Sequence, residues 1–415
     1  MPRVPAFARN LRPFDQVVAI ANGLVDPRKP EFWGRLHVGP DNISSESGRI
    51  IHPLQTAREL GLKSGKFPFE AGDILYSKIR PNLNKVAIAD VDGICSADMY
   101  VLKPKGIDRS FLFHSLRGEF FYKQAVAASM RSGLPKVNRD DLSMMELRVP
   151  PFPEQRRVAA ILNEWDNAIA TTEKLVKAKL VRKDGLASKL LDLCLVDHPP
   201  QGWVSAHLGD LFEERTTVGG SERLLAVTAG QGIIDRVETG RKDTSADDKS
   251  SYKLIEPGDI GYNTMRMWQG VSALSALRGL VSPAYTIVRP NAGIDAQFAA
   301  QLFKYHHMIH TFWRYSQGLV DDTLMLKFPQ FSEIKINIPP LDVQRETGGI
   351  LSGADLEVGQ LQDLRNQLRM QKRGLMQKLL SGDWPVPASI DRFLPGGQEI
   401  DEGVEAEVQR AEATG

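Results

Sequence analysis

Apolar residues recur at every third or fourth position in two stretches of the chain, and these stretches predict its longest elements. In the first, Val158, Leu162, Trp165, Ile169, Val176, Leu180, Leu186, Leu190 and Leu193 form one stripe; in the second, Leu351, Ala354, Val358, Leu361, Leu368, Leu375 and Leu379 do the same. Each stretch opens on prolines, Pro150-Pro151-Phe152-Pro153 and Pro339-Pro340, and then runs for about 40 residues without another. Proline is tolerated in the first turn of a helix and breaks its interior. The pattern predicts amphipathic helices over 151–196 and 339–382, each roughly 60 Å long at 1.5 Å per residue. Elsewhere the periodicity shortens. Asp73-Ile74-Leu75-Tyr76 and Asp259-Ile260-Gly261-Tyr262 each follow a glycine, and β-rich runs over 97–102 and 284–288 lead into Pro104 and Pro290. These are short strands in two lobes, 1–150 and 197–338.

The lobes are copies of one another. Phe69–Pro104 aligns without a gap on Ile255–Pro290, with identities that include Glu70/Glu256, Gly72/Gly258, Asp73/Asp259, Tyr76/Tyr262, Arg80/Arg266 and Pro104/Pro290. VPPFPEQRRVAAIL (149–162) aligns on IPPLDVQRETGGIL (338–351), and Lys189-Leu190-Leu191 returns as Lys378-Leu379-Leu380. The fold class is α+β: two similar mixed α/β lobes separated by two long helices, related by a pseudo-twofold internal repeat. A long helix with one apolar stripe needs a partner, and the other copy supplies it, which predicts an antiparallel intramolecular coiled coil. The alternative is that each helix packs on its own lobe. The last stretch, 383–415, has eight acidic and two basic residues and few large apolar ones, the composition of a disordered tail.

Composition narrows the class. The 52 Lys+Arg and 51 Asp+Glu give a net charge of +1, so any nucleic-acid binding rests on a local basic face. With only Cys95 and Cys194 and no CxxC pair, neither a disulfide framework nor a cysteine zinc site is expected. No stretch approaches 18 uninterrupted apolar residues, and the first 25 residues lack a long apolar core, so a cytoplasmic protein with no membrane partner is expected.

Catalytic chemistry is not written in the sequence. Val149-Pro150-Pro151-Phe152 has the shape of the adenine-methyltransferase Asn-Pro-Pro-Phe element, but Val149 has no hydrogen-bond acceptor. Gly230-Gln231-Gly232 has Asp235 where a third glycine would fall. His306 and His310 lie one helical turn apart without the glutamate of a zincin, and read as a solvated helical face. Asp73 and Asp259 lack a nuclease's acidic-x-Lys companion, and read as turns whose carboxylate ties the following backbone. No P-loop or nucleophile elbow occurs. No catalytic or metal site is expected, and no cofactor bound by the chain itself.

Recognition chemistry is better represented. After the duplicated Gly-Asp strand come Lys78, Arg80, Asn82, Asn84 and Lys85 in one copy and Asn263, Arg266, Trp268 and Gln269 in the other. Before each long helix come Arg131, Lys136 and Asn138, and Arg314 and Lys327, around Gly133-Leu134 and Gly318-Leu319. Arginine can hold guanine through two hydrogen bonds, Asn and Gln can hold adenine, and Lys neutralises phosphate. The frameworks are shared while the polar identities differ, as expected of two lobes that read different short sequences.

PPFPEQRRVAAIL and IPPLDVQR at the helix starts, GLMQKLL followed by SGDW, GWVSAHLGDLFEE and FEAGDILYSKIRP with IEPGDIGYNTMR together resemble the specificity subunit of type I restriction-modification systems, over about residues 10–385. The resemblance implies two target recognition domains, 1–150 and 197–338, and two spacer helices that pair. It implies a noncatalytic subunit that reads a bipartite asymmetric site in double-stranded DNA. Two methyltransferase subunits and optional restriction subunits would be the partners, and S-adenosylmethionine, ATP and Mg would sit on them. Exposed helix-flank cations, Arg156, Arg157, Arg345, Arg365 and Arg373, are candidates for partner docking. Two other classes stay open: a coiled-coil adaptor with two protein-binding lobes, and a nuclease or methyltransferase with an unrecognised site.

Overall fold

The structure is a computed structural model that describes residues 10–130, 135–220, 222–228, 232–239, 249–320 and 323–394. They divide into two compact units, Met1–Thr172 with Leu364–Gly415, and Glu173–Asp363.

In the first unit an antiparallel sheet runs in the order Val18–Ile20, Met99–Pro104, Ile74–Ser77, Val86–Ile88, with the third strand buried at every position. In the second unit the order is Phe212–Glu214, Tyr285–Pro290, Ile260–Asn263, Ser272–Leu274. Registers match: Ile74 pairs with Leu102 and Ile88, and Ile260 with Val288 and Leu274. The turn before each central strand uses Gly72 and Gly258 at φ +94° and +91°. Asp73 and Asp259 accept hydrogen bonds from the N–H groups of Glu70 (3.0 Å) and Glu256 (2.8 Å). The carboxylate therefore ties the backbone three residues before it rather than the following one, because the tight glycine turn brings that N–H back to it. The copies diverge in charge pairing. Asp259 is 1 % exposed and receives Arg215 at 2.7 and 3.1 Å, whereas Asp73 meets the half-exposed Lys103 at 3.7 Å.

The long helices span Phe152–Leu191 and Leu341–Ser381. The glutamine of the repeated Pro-Pro element seats each one. Gln155 accepts from Asp108 N–H (2.7 Å) and donates to the Pro150 carbonyl (2.8 Å); Gln344 does the same with Asp295 (2.8 Å) and Pro339 (2.8 Å). Both glutamines are buried, so leaving either pair unmade would strand polar groups away from water. Asp108 and Asp295 in turn cap the helices Arg109–Arg117 and Ala296–Phe303.

Each unit holds part of both long helices. In the first, Val158, Ala159 and Leu162 share a core with Phe14, Phe111, Phe121 and Leu379, and Asp166 pairs with Lys372 at 2.6 Å. In the second, Leu191 and Leu351 share a core with Phe212, Phe298 and Phe331, while Lys179 pairs with Glu357 at 2.5 Å and Lys183 with Asp355. In the second unit the two ion pairs climb one helix as they descend the other, the antiparallel sense. The Asp166–Lys372 pair recurs as Asp355–Lys183 with acid and base exchanged between helices.

The chain beyond the second helix corrects the expectation of a tail disordered from residue 383. Trp384 lies under Lys378 at 4.3 Å, Val386 is buried, Ala388–Phe393 is a 3-10 helix, and Asp391 grips Arg157 at 2.7 and 2.6 Å. Val386 and Ile390 supply apolar anchors that the average composition of 383–415 conceals. Residues 395–415 lie outside the described residues.

Candidate nucleic-acid interface

In both lobes one main-chain hydrogen bond joins the two polar clusters that lie far apart in sequence. Val137 N–H donates to the Lys78 carbonyl (2.8 Å), and Leu326 N–H donates to the Thr264 carbonyl (2.8 Å). Arg80 N–H adds a bond to the Pro135 carbonyl (2.8 Å), with Ile79 bridged to Lys136. The loop leaving the central strand and the loop before the long helix thus share one surface in each lobe.

The loop itself is specialised. Arg80 and Asn84 hold φ of 48° and 49° on either side of the turn Pro81–Leu83. A left-handed arginine costs energy that the surrounding bonds must hold in place. In the second lobe the turn Met267–Gln269 ends on Gly270 at φ +75°, at the position Asn84 takes in the first. Asparagine and glycine are the residues that enter this region most readily.

The predicted contact residues divide into two groups. Arg80, Asn82 and Lys136 in the first lobe are exposed, as are Arg266, Gln269, Arg314 and Lys327 in the second. Among the described residues none of these side chains has a hydrogen bond or ion pair within the chain. Others are spent internally. Asn84 donates to the Arg117 carbonyl (2.9 Å), and Lys85 donates to the Pro40 carbonyl (2.7 Å) and lies 3.6 Å from Asp41. Asn138 caps the helix Arg139–Ser143 by accepting from Asp141 N–H (2.8 Å). Asn263 accepts from Met265 N–H (3.0 Å), and the Trp268 indole donates to the Met265 carbonyl (2.9 Å). Lys78 is half-buried, 3.7 Å from Asp98 and 5.9 Å from the centre of the Tyr100 ring. Arg131 lies outside the described residues.

Of the helix-flank cations, Arg345 and Arg373 are exposed and Arg365 bonds Asn366 at 3.1 Å. Arg157 is committed to Asp391, whose carboxyl it holds below the usual range, and Arg156 lies half-buried beside the same carboxylate. Sequence reading missed Trp313, which is 45 % exposed and stacks on His310 at 5.5 Å, next to Arg314. The signal was present: Met308 and Phe312 are the buried positions of its helix, His306–Tyr315, and Trp313 falls off that stripe.

Among the described residues, no three His, Cys, Asp or Glu side chains converge as a metal site, and no helix is long and apolar enough to cross a membrane. Burial pushes the thiols of Cys95 and Cys194 up to about 12.

Residues 39–180 match the family model described as type I restriction modification DNA specificity domain. The chain is 35 % identical to the type I restriction enzyme EcoDI specificity subunit of Escherichia coli over 219 residues, 53 % of this chain and 48 % of that one. It thus spans about half the length of that relative. A second relative, the MjaVIII specificity subunit of Methanocaldococcus jannaschii, is 23 % identical over 70 % of this chain and 74 % of its own. Among solved structures, the type I restriction-modification system S subunit from M. genitalium superposes with a TM-score of 0.58 at 16 % identity, covering 89 % of this chain and 95 % of that one. That likeness supports the fold.

Proposed function

We propose that this chain, which is similar to type I restriction-modification DNA specificity subunits, is the noncatalytic DNA-reading subunit of such a complex. Each lobe reads one half of a bipartite site in double-stranded DNA. The two long helices form a pseudo-twofold antiparallel coiled coil that sets the spacer and docks two methyltransferase subunits, with restriction subunits optional. S-adenosylmethionine, ATP and Mg belong to those partners.

The observation that carries this reading is the paired loop surface. The same hydrogen bond gathers the same two segments in each lobe, and each surface presents unpaired cations and amides of different identity: Arg80, Asn82 and Lys136 in one, Arg266, Gln269, Arg314 and Lys327 in the other. Unlike side chains on a like framework are what two different half-sites require. Exposed Arg345 and Arg373 support docking along the helices. A net charge near zero fits a subunit that shares its phosphate contacts with partners.

The test is co-expression of the full chain with the methyltransferase encoded beside it, followed by genome-wide mapping of methylated adenine. One new bipartite motif, absent without this chain, is expected. A double Arg266→Ala, Gln269→Ala variant should relax only one half of that motif. Equal weakening at every position would mark those residues as phosphate contacts, and no methylation from a stable complex would refute the reading.

A further inference from the structure

The first lobe holds its recognition loop by a device that the second lobe lacks among the described residues. Arg117 ends the helix Arg109–Arg117, and Asn84 follows the turn Pro81–Leu83 at φ 49°. The two residues grip each other. The Asn84 amide donates to the Arg117 carbonyl (2.9 Å), one of the carbonyls that a helix end leaves without a partner in the helix, and Arg117 Nη1 donates back to the Asn84 carbonyl (3.3 Å). The other arm of the guanidinium reaches the turn 44–49, where Nη2 donates to the carbonyls of Ser45 (3.2 Å) and Glu46 (2.8 Å). That turn closes tightly on the arginine: Gly48 holds φ +66°, and a Cβ there would stand 2.6 Å from Arg117 Nη1.

The same turn is fastened to both long helices. The Glu46 carboxylate pairs with Arg369, and Arg49 donates to the Asp166 carbonyl (3.3 Å). A continuous path of polar contacts therefore runs from the helices, through the turn and Arg117, to the base of the loop that presents Arg80 and Asn82. The acceptors that Arg117 meets along it are main-chain carbonyls, so the contact uses the fixed spread of the guanidinium N–H groups more than its charge. A lysine would keep the charge and offer a single nitrogen. Counted from the matching caps Asp108 and Asp295, the second lobe has Lys304 where Arg117 stands, and it has Gly270 in the place of Asn84. The Lys304 side chain makes no hydrogen bond to its loop among the described residues, and feels Asp355 and Lys183 of the long helices instead. The two differences belong together: glycine holds a positive φ without support, whereas a side chain there must be held in place.

We propose that Arg117 is a positioning residue: it sets the recognition loop of the first lobe against the long helices, and half-site discrimination there depends on it although it does not itself reach the bases. This rests on the DNA-reading function proposed above. Productive recognition geometry has to be held to within about 0.5 Å, so a loop released at its base loses discrimination first. The test uses the full chain in complex with its methyltransferase subunits, and competition binding between the mapped site and duplexes altered singly in each half. The half-site that the Arg266→Ala, Gln269→Ala variant leaves intact is the one assigned to the first lobe. Arg117→Lys should lower discrimination there about tenfold, the contribution of one good base contact, and leave the other half-site unchanged, which also shows that the complex is folded. Asn84→Gly removes the amide bond to Arg117 while keeping the backbone conformation accessible, and should lower discrimination at the same half-site about threefold, half of that effect in free energy. It decides the matter should Arg117→Lys fail to assemble. Discrimination intact at the first half-site in every variant that assembles, with only the melting temperature lowered, would overturn the proposal and leave Arg117 a residue of stability alone. Equal losses at both half-sites would overturn it too. A wild-type complex with no sequence preference would refute the DNA-reading function itself, a distinct failure.

Discussion

His114 and Gln301 occupy equivalent places in the two lobes, facing Asn163 and Ser352 on the long helices. His114 is fully buried, and its Nε2 donates to the Asn163 side-chain oxygen at 2.9 Å while Nδ1 has no partner. Gln301 instead donates to Ser352 (3.1 Å) and Asp355 (2.9 Å). Burial, with Lys372 nearby, pulls the imidazole from its ordinary value near 6.5 down to about 4. Between those values the unfolded chain binds a proton that the folded one refuses. Stability is therefore lost as pH falls from about 6.5 towards 4, by roughly 2 kcal/mol between pH 7 and pH 5. His114→Gln, which installs the other copy's solution, should lose less stability over that interval by about this amount. Denaturant unfolding at the two pH values measures it, and equal losses in the two proteins would show that the histidine does not titrate in this way.

At the scale of the element, the second long helix is unusual for its glycines. Gly348 is needed for packing: a Cβ there would meet the Phe298 backbone nitrogen at 2.8 Å, where the helix Ala296–Phe303 crosses closely. Gly353 and Gly359 face open space. Replacing each of these two by alanine should raise stability by about 1 kcal/mol, since alanine is the better helix former, while Gly348→Ala should lower it. Thermal melting of the three variants decides this, and a stabilised Gly348→Ala would mean the crossing is looser than it looks. These glycines also show what the sequence could reveal. The apolar stripe persisted through them, so both helices were legible, as was the repeat. Partners distant in sequence were not. Nothing local in Asn84 or Lys85 announces that Arg117, Pro40 and Asp41 will claim them, so the contact set read from the polar cluster was larger than the set of free side chains. The packed segment from Val386 to Ile390 was hidden for the opposite reason: two apolar anchors and the Arg157–Asp391 pair suffice to order a stretch whose average composition reads as solvated.

For the whole molecule, both long helices pass from one compact unit to the other, dividing at Thr172/Glu173 and Asp363/Leu364. The Asp166–Lys372 and Lys183–Asp355 pairs lie on either side of those points. Four residues of good helix-forming sequence inserted at both points would keep both ion pairs and both lobe cores, and would lengthen each helix by about 6 Å. On the proposal that the helix pair sets the spacer, the methylated motif should keep both half-sites and gain at most about two base pairs between them, because base pairs are stacked about 3.4 Å apart. Insertion in one helix alone would lengthen one spacer element without the other and, on the same proposal, should abolish site-specific methylation rather than lengthen the spacer. Mapping methylated adenine for the three chains tests the idea. A changed half-site, or an unchanged spacer in the doubly extended protein, would show that spacing is fixed by the partner subunits instead of by these helices.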